Sequence, residues 1–387
     1  STAGQITQGL NSIAIGNNAG NNSQQINSIS IGNNAGYTNQ GQGSVSVGYY
    51  SGQSFQSQNS VALGYQAGQV YQGIGATVGT STIAIGSTAG QITQGLNSIA
   101  IGNSAGNNSQ QINCISIGNF SGQTYQGTGA VSVGTLSAQN NQGNYAVAIG
   151  YFAGYTSQAS SAVAIGNNAG LTNQKDKTVA IGYYAGYTGQ ASNAVAIGYN
   201  AGNSNQTTNT IAIGNGAGFT GQLGSVSIGL GAGAYSQSAG SIAIGYNAGN
   251  TSQGGQSVSF GDAAGQYFQG AQSVAIGYLS GNTGQGAQAV AIGNVTPGTA
   301  AFTTLSASSA STLNTITGAS FQGVFGNVTP AAGTFTALTS SGTTTLGLTS
   351  ATAINNTPIG NAIASTGAFT TLTSQTSTTG GLQAVAI

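Results

Sequence analysis

A five-residue phrase returns every sixteen residues along most of this chain: a small residue, Ile or Val, Ala or Ser, an aliphatic, then Gly. It reads Ser12-Ile13-Ala14-Ile15-Gly16, then Ser28-Ile29-Ser30-Ile31-Gly32, and continues to Ala289-Val290-Ala291-Ile292-Gly293, about eighteen copies in all. A fixed period of this length marks a solenoid or fibre, in which each unit is expected to bury its apolar edge only against its neighbours. Aliphatic residues alternate with small ones, which is the period of a strand and not of a helix or a disordered polar tract. No run reaches the roughly eighteen apolar residues of a membrane-spanning helix, so no membrane insertion is expected.

The unit from Gly150 to Gly166 shows how one repeat folds. Val163 and Ile165 lie two apart and share a face, while Ala164 points the other way. Gly166 and Gly170 bracket a tight turn, and a more polar strand runs through Leu171-Thr172-Asn173-Gln174 before the chain returns. Two short strands and two turns make one coil of a parallel β-roll, an all-β solenoid predicted over residues 1–293. The period slips twice. Gly64 to Gly86 spans twenty-two residues, with the excess around 73–79, and Gly214 to Gly229 is one residue short. Both slips follow the glutamine of the coil, where a turn tolerates them. Residues 1–32 return almost unchanged as 87–118, with Ser104 at the place of Asn18 and Cys114 at that of Ser28.

Eight residues after each closing glycine, with few exceptions, stands a glutamine: Gln24, Gln40, Gln56, Gln72, Gln94, Gln110, Gln126, Gln142, Gln158, Gln174, Gln190, Gln206, Gln222, Gln237, Gln253, Gln269 and Gln285. Coils stacked about 4.8 Å apart let each amide donate to the next, a ladder that satisfies buried amides internally. The alternative is an exposed amide row that binds sugar or ice. Just after the closing glycine stands in most coils either Asn (Asn17, Asn33, Asn103, Asn119, Asn167, Asn215), suited to a left-handed turn, or Tyr. Tyr49, Tyr65, Tyr151, Tyr183, Tyr199, Tyr246 and Tyr278 form this second row, with Tyr37, Tyr155 and Tyr187 in a partial third. Such rings either stiffen the turn by stacking or offer a platform to a glycan.

The composition removes most chemistry. The chain has two Lys or Arg, two Asp or Glu and no His in 387 residues. Acid–base catalysis, metal ligation and a basic nucleic-acid face all need residue types it nearly lacks, so neither an enzyme, a cofactor nor a nucleic-acid partner is expected. Three of the charges form Lys175-Asp176-Lys177; Asp262 is the fourth. The single Cys114 occupies a serine slot and reads as a small buried thiol.

The phrase stops at Gly293. Asn294-Val295-Thr296-Pro297 leads to Phe302 and Leu305, Asn327-Val328-Thr329-Pro330 to Phe335 and Leu338, and Asn361-Ala362-Ile363-Ala364 to Phe369 and Leu372. Residues 294–380 are therefore predicted as a Thr/Ser-rich extended β shaft with a repeat of about thirty-three residues. Gln383-Ala384-Val385-Ala386-Ile387 copies Gln288-Ala289-Val290-Ala291-Ile292, so 381–387 reads as a roll restarting. The chain also opens in mid-repeat without a signal-peptide pattern, as a fragment would. Neither the shaft nor a single coil carries enough apolar bulk for a monomeric core. Three parallel copies around one axis would bring Phe302, Leu305, Phe335, Leu338, Phe369 and Leu372 against their symmetry mates, so a homotrimer is predicted.

The phrase in Ser12–Gly20 and Ala194–Gly202 resembles the head repeat of trimeric autotransporter adhesins. That resemblance, over residues 1–293, implies a left-handed parallel β-roll, three chains wide, on a cell surface. The sixteen-residue period is longer than the usual head repeat, and no heptad stalk or membrane anchor follows. The Thr-Pro…Phe-Thr-Thr-Leu segment is similar instead to the shafts of bacteriophage and other viral tail fibres. Together they imply a structural tail fibre or spike on a virion surface, giving rigid reach and attachment to a host surface glycan or protein. A bacterial or environmental extracellular adhesin or matrix filament is the alternative, and an ice-binding solenoid a minor one.

Overall fold

The computed structural model describes residues 2–73 and 81–293, and every strand among them is three residues long. One sheet contains eighteen strands, from Ile13–Ile15 to Val290–Ile292, one from each coil. Each pairs in parallel with the same strand of the next coil, as in Val163↔Val179, Ala164↔Ala180 and Ile165↔Ile181. Ile13–Ile15 pairs only with Ile29–Ile31, and Val290–Ile292 only with Val274–Ile276, so this sheet is a linear ladder with two ends and not a barrel. The opposite sheet has eleven strands, from Ile6–Gln8 to Thr172–Gln174, and continues as single bridges from Thr172↔Thr188 to Tyr267↔Thr283. The chain is thus a parallel β-solenoid of about eighteen turns.

Both irregular coils keep the ladder intact. Val61 pairs with Ile83 across the twenty-two-residue coil, and Ile211 with Val226 across the fifteen-residue one. The excess of the longer coil (74–80) lies outside the described residues. So do residues 294–387, and with them the expected shaft 294–380, the restart at 381–387, and Phe302, Leu305, Phe335, Leu338, Phe369 and Leu372.

The turns are built from left-handed residues, and their placement differs from expectation in one respect. In the coil opened by Gly166, positive φ occurs at Gly166 (126°), Asn168 (56°), Gly170 (52°), Asn173 (57°) and Lys177 (59°). The left-handed asparagine is the second residue after the closing glycine (Asn18, Asn34, Asn168), and not the first as Asn17, Asn33 and Asn167 suggested. The closing glycine has already reversed the chain, so the next residue is left in an ordinary conformation. At that glycine the backbones touch: a Cβ on Gly150 would lie 2.6 Å from the carbonyl oxygen of Gly166.

The interior is made of very small side chains. Ala148, Ala153, Ala164, Ala169 and Ala180 form one fully buried cluster, and the largest fully buried side chains are glutamines. The aliphatic residues on either side of the inward Ala or Ser point outward, because alternation leaves them no other direction. An alanine core returns little hydrophobic free energy per coil, on the order of 1 kcal/mol or less for each side chain. The roll therefore depends on unbroken inter-coil hydrogen bonding. Replacing Gly150 by Ala should cost about 3 kcal/mol or more, through a forbidden φ and a blocked backbone approach. A thermal melt followed by circular dichroism reads this as a marked fall in Tm; an unchanged melt would contradict the close approach.

Candidate functional site

The glutamine row lies between the two sheets. Gln40, Gln126, Gln174 and Gln190 are completely buried, and the remaining fully buried members are within 2 % of that. Nearly every Gln Nε2 donates to the backbone carbonyl eleven residues earlier, on the opposite sheet, as Gln40 does to Ile29 O (2.8 Å) and Gln158 to Val147 O (2.9 Å). These amides bolt one sheet to the other.

The amide-to-amide ladder exists in two stretches. Gln110 donates to Gln126, Gln126 to Gln142 and Gln142 to Gln158, at 3.0, 3.0 and 3.2 Å. Gln174, Gln190, Gln206, Gln222, Gln237, Gln253, Gln269 and Gln285 form the second, with contacts from Gln174 to Gln190 (3.0 Å) through Gln269 to Gln285 (3.2 Å). The expected ladder is not formed at Gln24, Gln40, Gln56, Gln72 and Gln94, whose Nε2 groups turn to backbone carbonyls and, at Gln40, to Ser46 Oγ. At Gln40 and Gln56 the amide oxygen has another donor: Ser30 Oγ reaches Gln40 Oε1 (2.5 Å) and Ser46 Oγ reaches Gln56 Oε1 (2.6 Å).

The donating serine stands ten residues before its glutamine, at the inward place that Ala fills in other coils. Where that place is Ala and no amide of the preceding coil donates, the oxygen is buried without a partner. This is the state of Gln24, Gln72, Gln94, Gln110 and Gln174, which follow Ala14, Ala62, Ala84, Ala100 and Ala164. The Ala/Ser alternation within the phrase therefore decides which amides are satisfied, a rule the repeat contained but inspection of the phrase alone did not extract. A second, outer amide row was also missed: Gln69 donates to Gln53 (2.9 Å), Gln91 to Gln69 (2.9 Å) and Asn107 to Gln91 (3.0 Å).

Outside the eighteen-stranded sheet runs a two-lane aliphatic strip. Val163, Ile165, Val179 and Ile181 are half-buried, and Ile13, Ile15, Leu63, Phe260, Ile276 and Ile292 are exposed. Monomeric proteins rarely leave so long an apolar surface uncovered.

The first tyrosine row borders this strip, and all seven of its members are exposed. Tyr49 stacks on Tyr65 (5.7 Å, 3° between planes) and Tyr183 on Tyr199 (5.4 Å, 8°). Tyr50 and Tyr184 pack edge-on against the first ring of each pair. A hydrogen bond to Tyr50 raises the Tyr49 phenol above its ordinary value, and one to Tyr184 does the same for Tyr183. Tyr151 instead packs edge-on against Phe152. Tyr246 and Tyr278 stand apart from aromatic partners among the described residues.

Among the described residues no group of His, Cys, Asp and Glu could hold a metal, and no helix is long and apolar enough to cross a membrane. Comparison with family models, curated proteins and solved structures returns no match.

Two outcomes test the interior. Ala84→Ser supplies the donor that Gln94 Oε1 lacks and should stabilise by about 1 kcal/mol, whereas Ser46→Ala orphans Gln56 Oε1 and should cost about 1–3 kcal/mol. Opposite shifts of Tm in a matched pair of melts are expected. Cys114 is fully buried, its Sγ donates to Gly127 O (2.9 Å), and burial pushes the thiol up to about 11. The neutral thiol is thus favoured in the fold, and its stabilising contribution is full below pH 9.0 and drains between 9.0 and about 11. An alkylating reagent at pH 8 should label Cys114 only after denaturation, as mass spectrometry would show.

Proposed function

We propose that this chain is part of a homotrimeric attachment fibre, carried on the tail or surface of a virion. The observation that carries the proposal is the aliphatic strip. It spans about eighteen coils, roughly 80 Å by 10 Å or on the order of 800 Å², comparable with one side of a standard protein interface. Its occupant is a second and third copy of this chain, because a strip of constant width and 16-residue pitch is matched best by another with the same pitch. Nothing charged interrupts it.

The remaining features suit a mechanical role. Charge is nearly absent, which removes acid–base and phosphate chemistry and supports a structural protein over an enzyme. Reach comes from repeat number, stiffness from the buried amides, and avidity from three chains. The likeness of the 294–380 segment to viral fibre shafts favours a virion over a bacterial or environmental filament, which uses the same roll. Ice binding is supported less. The paired positions carry Thr at Thr156, Thr172 and Thr188, but Val70, Ile92, Tyr235 and Tyr267 break the row that a flat hydroxyl surface requires.

Sedimentation equilibrium of the full chain should give three times its 37.5 kDa mass. Ile165→Asp combined with Ile181→Asp, two adjacent strip positions, should yield monomers that keep a β spectrum. A parent chain that stays monomeric at micromolar concentration would defeat the trimer.

A further inference from the structure

The sheet that carries the glutamines faces away from the aliphatic strip, so trimer formation leaves it open. On it, the residue before each glutamine is left-handed and turned from the ladder: Tyr125 (48°), Asn141 (57°), Ser157 (58°) and Asn173 (57°). The residue after each glutamine is small at Gly143, Ala159 and Ala191. Between the two rows the surface sinks. One depression of about 370 Å³ is lined by Tyr125, Asn141, Gly143, Ser157 and Ala159, and another of about 340 Å³ by Asn173, Lys175, Gly189 and Ala191. They lie on successive coils of the same sheet, one after the other along the axis.

Tyr125 stands where the trough begins. It is 51 % exposed and takes part in none of the aromatic pairs among the described residues. Tyr49 and Tyr183, by contrast, each have one face covered by a stacked neighbour. Three coils on, about 14 Å away by strand spacing, stands Lys175. Lys175-Asp176-Lys177 is the only net-positive turn of the whole chain, and Asp176 is engaged by the backbone N–H of Ser160 (3.1 Å). An aromatic face, a line of amides and hydroxyls, and one cation beyond them suit a sugar chain. An extended peptide would seek an unpaired sheet edge, and here each strand edge within the stack is paired coil to coil.

We propose that this trough binds a linear glycan bearing uronic acid. One pyranose ring lies on Tyr125, the following hydroxyls meet Asn141, Ser157 and Asn173, and a carboxylate pairs with Lys175. The proposal rests on the attachment reading and gives it a ligand class.

The test is calorimetric titration of the full chain with a hexamer of 1,4-linked uronic acid and with the corresponding neutral hexose hexamer, alongside adhesion of the same protein to host cells. The parent should bind both sugars, the acidic one more tightly. Tyr125→Ala should weaken both at least tenfold, and Lys175→Gln should lower the acidic hexamer to the affinity of the neutral one, with Tm unchanged in each. No binding of either sugar, binding that survives both substitutions, or binding lost instead in Tyr199→Ala would overturn the trough. If adhesion persists in Tyr125→Ala and Lys175→Gln, the trough falls while attachment stands; if the parent adheres to nothing, attachment itself falls.

Discussion

Gly150 and Gly166 meet so closely that no side chain fits between their coils, and the same contact recurs from Gly16 to Gly261. This approach sets one spacing, about 4.8 Å, that the rest of the roll inherits. At that spacing parallel strands share one register, buried amides can reach one another, and tyrosines one coil apart can stack. The ladder runs across a coil of twenty-two residues and another of fifteen because the glycine and the strand before it keep their places while the far turn absorbs the difference. A contact of backbone with backbone tolerates no substitution, which is why the glycine is more regular than any apolar position in the phrase.

The roll inverts the usual distribution of polarity. Glutamine is inside and isoleucine outside, because a cross-section only two short strands wide has room for alanine, serine and one flat amide. Burying an amide is costly unless its donors and acceptor are paired, and the roll pairs them with backbone carbonyls, serine hydroxyls or the next amide. Where both Ser and the preceding amide are missing, as at Gln174, the acceptor is left over and the second amide ladder begins afresh. The aliphatics, excluded from the interior, become a surface that only another surface can bury. Stability of one chain and the proposed association of three would therefore be separate properties on opposite sides of one strand.

Much of this was legible in the sequence, and the reasons are specific. Solenoid, coil length, strand positions and both slips follow from the spacing of Gly16, Gly32 and their successors, since one period governs pairing and packing alike. The alternation of Val163, Ala164 and Ile165 gave two faces, yet alternation is blind to which face is inside. That choice depends on the width of the cross-section, a three-dimensional quantity. The ladder was half legible: period alone placed every glutamine, but Gln40 and Gln56 take serine donors from a position ten residues away, beyond what stacking suggests. The left-handed residue was misplaced by one, at Asn17 and not Asn18, because both are asparagine and only backbone geometry separates them.

A repeated chain faces a particular difficulty in recognition, since identical coils present identical surfaces and a ligand would have no preferred register. Specificity must come from positions where the repeat is broken. In the interior such departures are small, Ala for Ser or Cys for Ser, because each one disturbs a hydrogen bond. On the surface they are large and cost the fold little: Tyr125 among Ser109, Asn141 and Ser157, or Lys175 among Gly143, Ala159 and Ala191. The stacked tyrosines spend one face of each ring on stiffness and repeat themselves along the axis. Aromatics recur at the slot of Tyr125 too, as Phe55 and Tyr71, which stack on each other, and as Phe268. Only Tyr125 has a lysine, Lys175, three coils on, and that pairing fixes both position and direction. The same spacing that makes the interior uniform thus holds two isolated surface exceptions about 14 Å apart, the address that the proposed glycan would read.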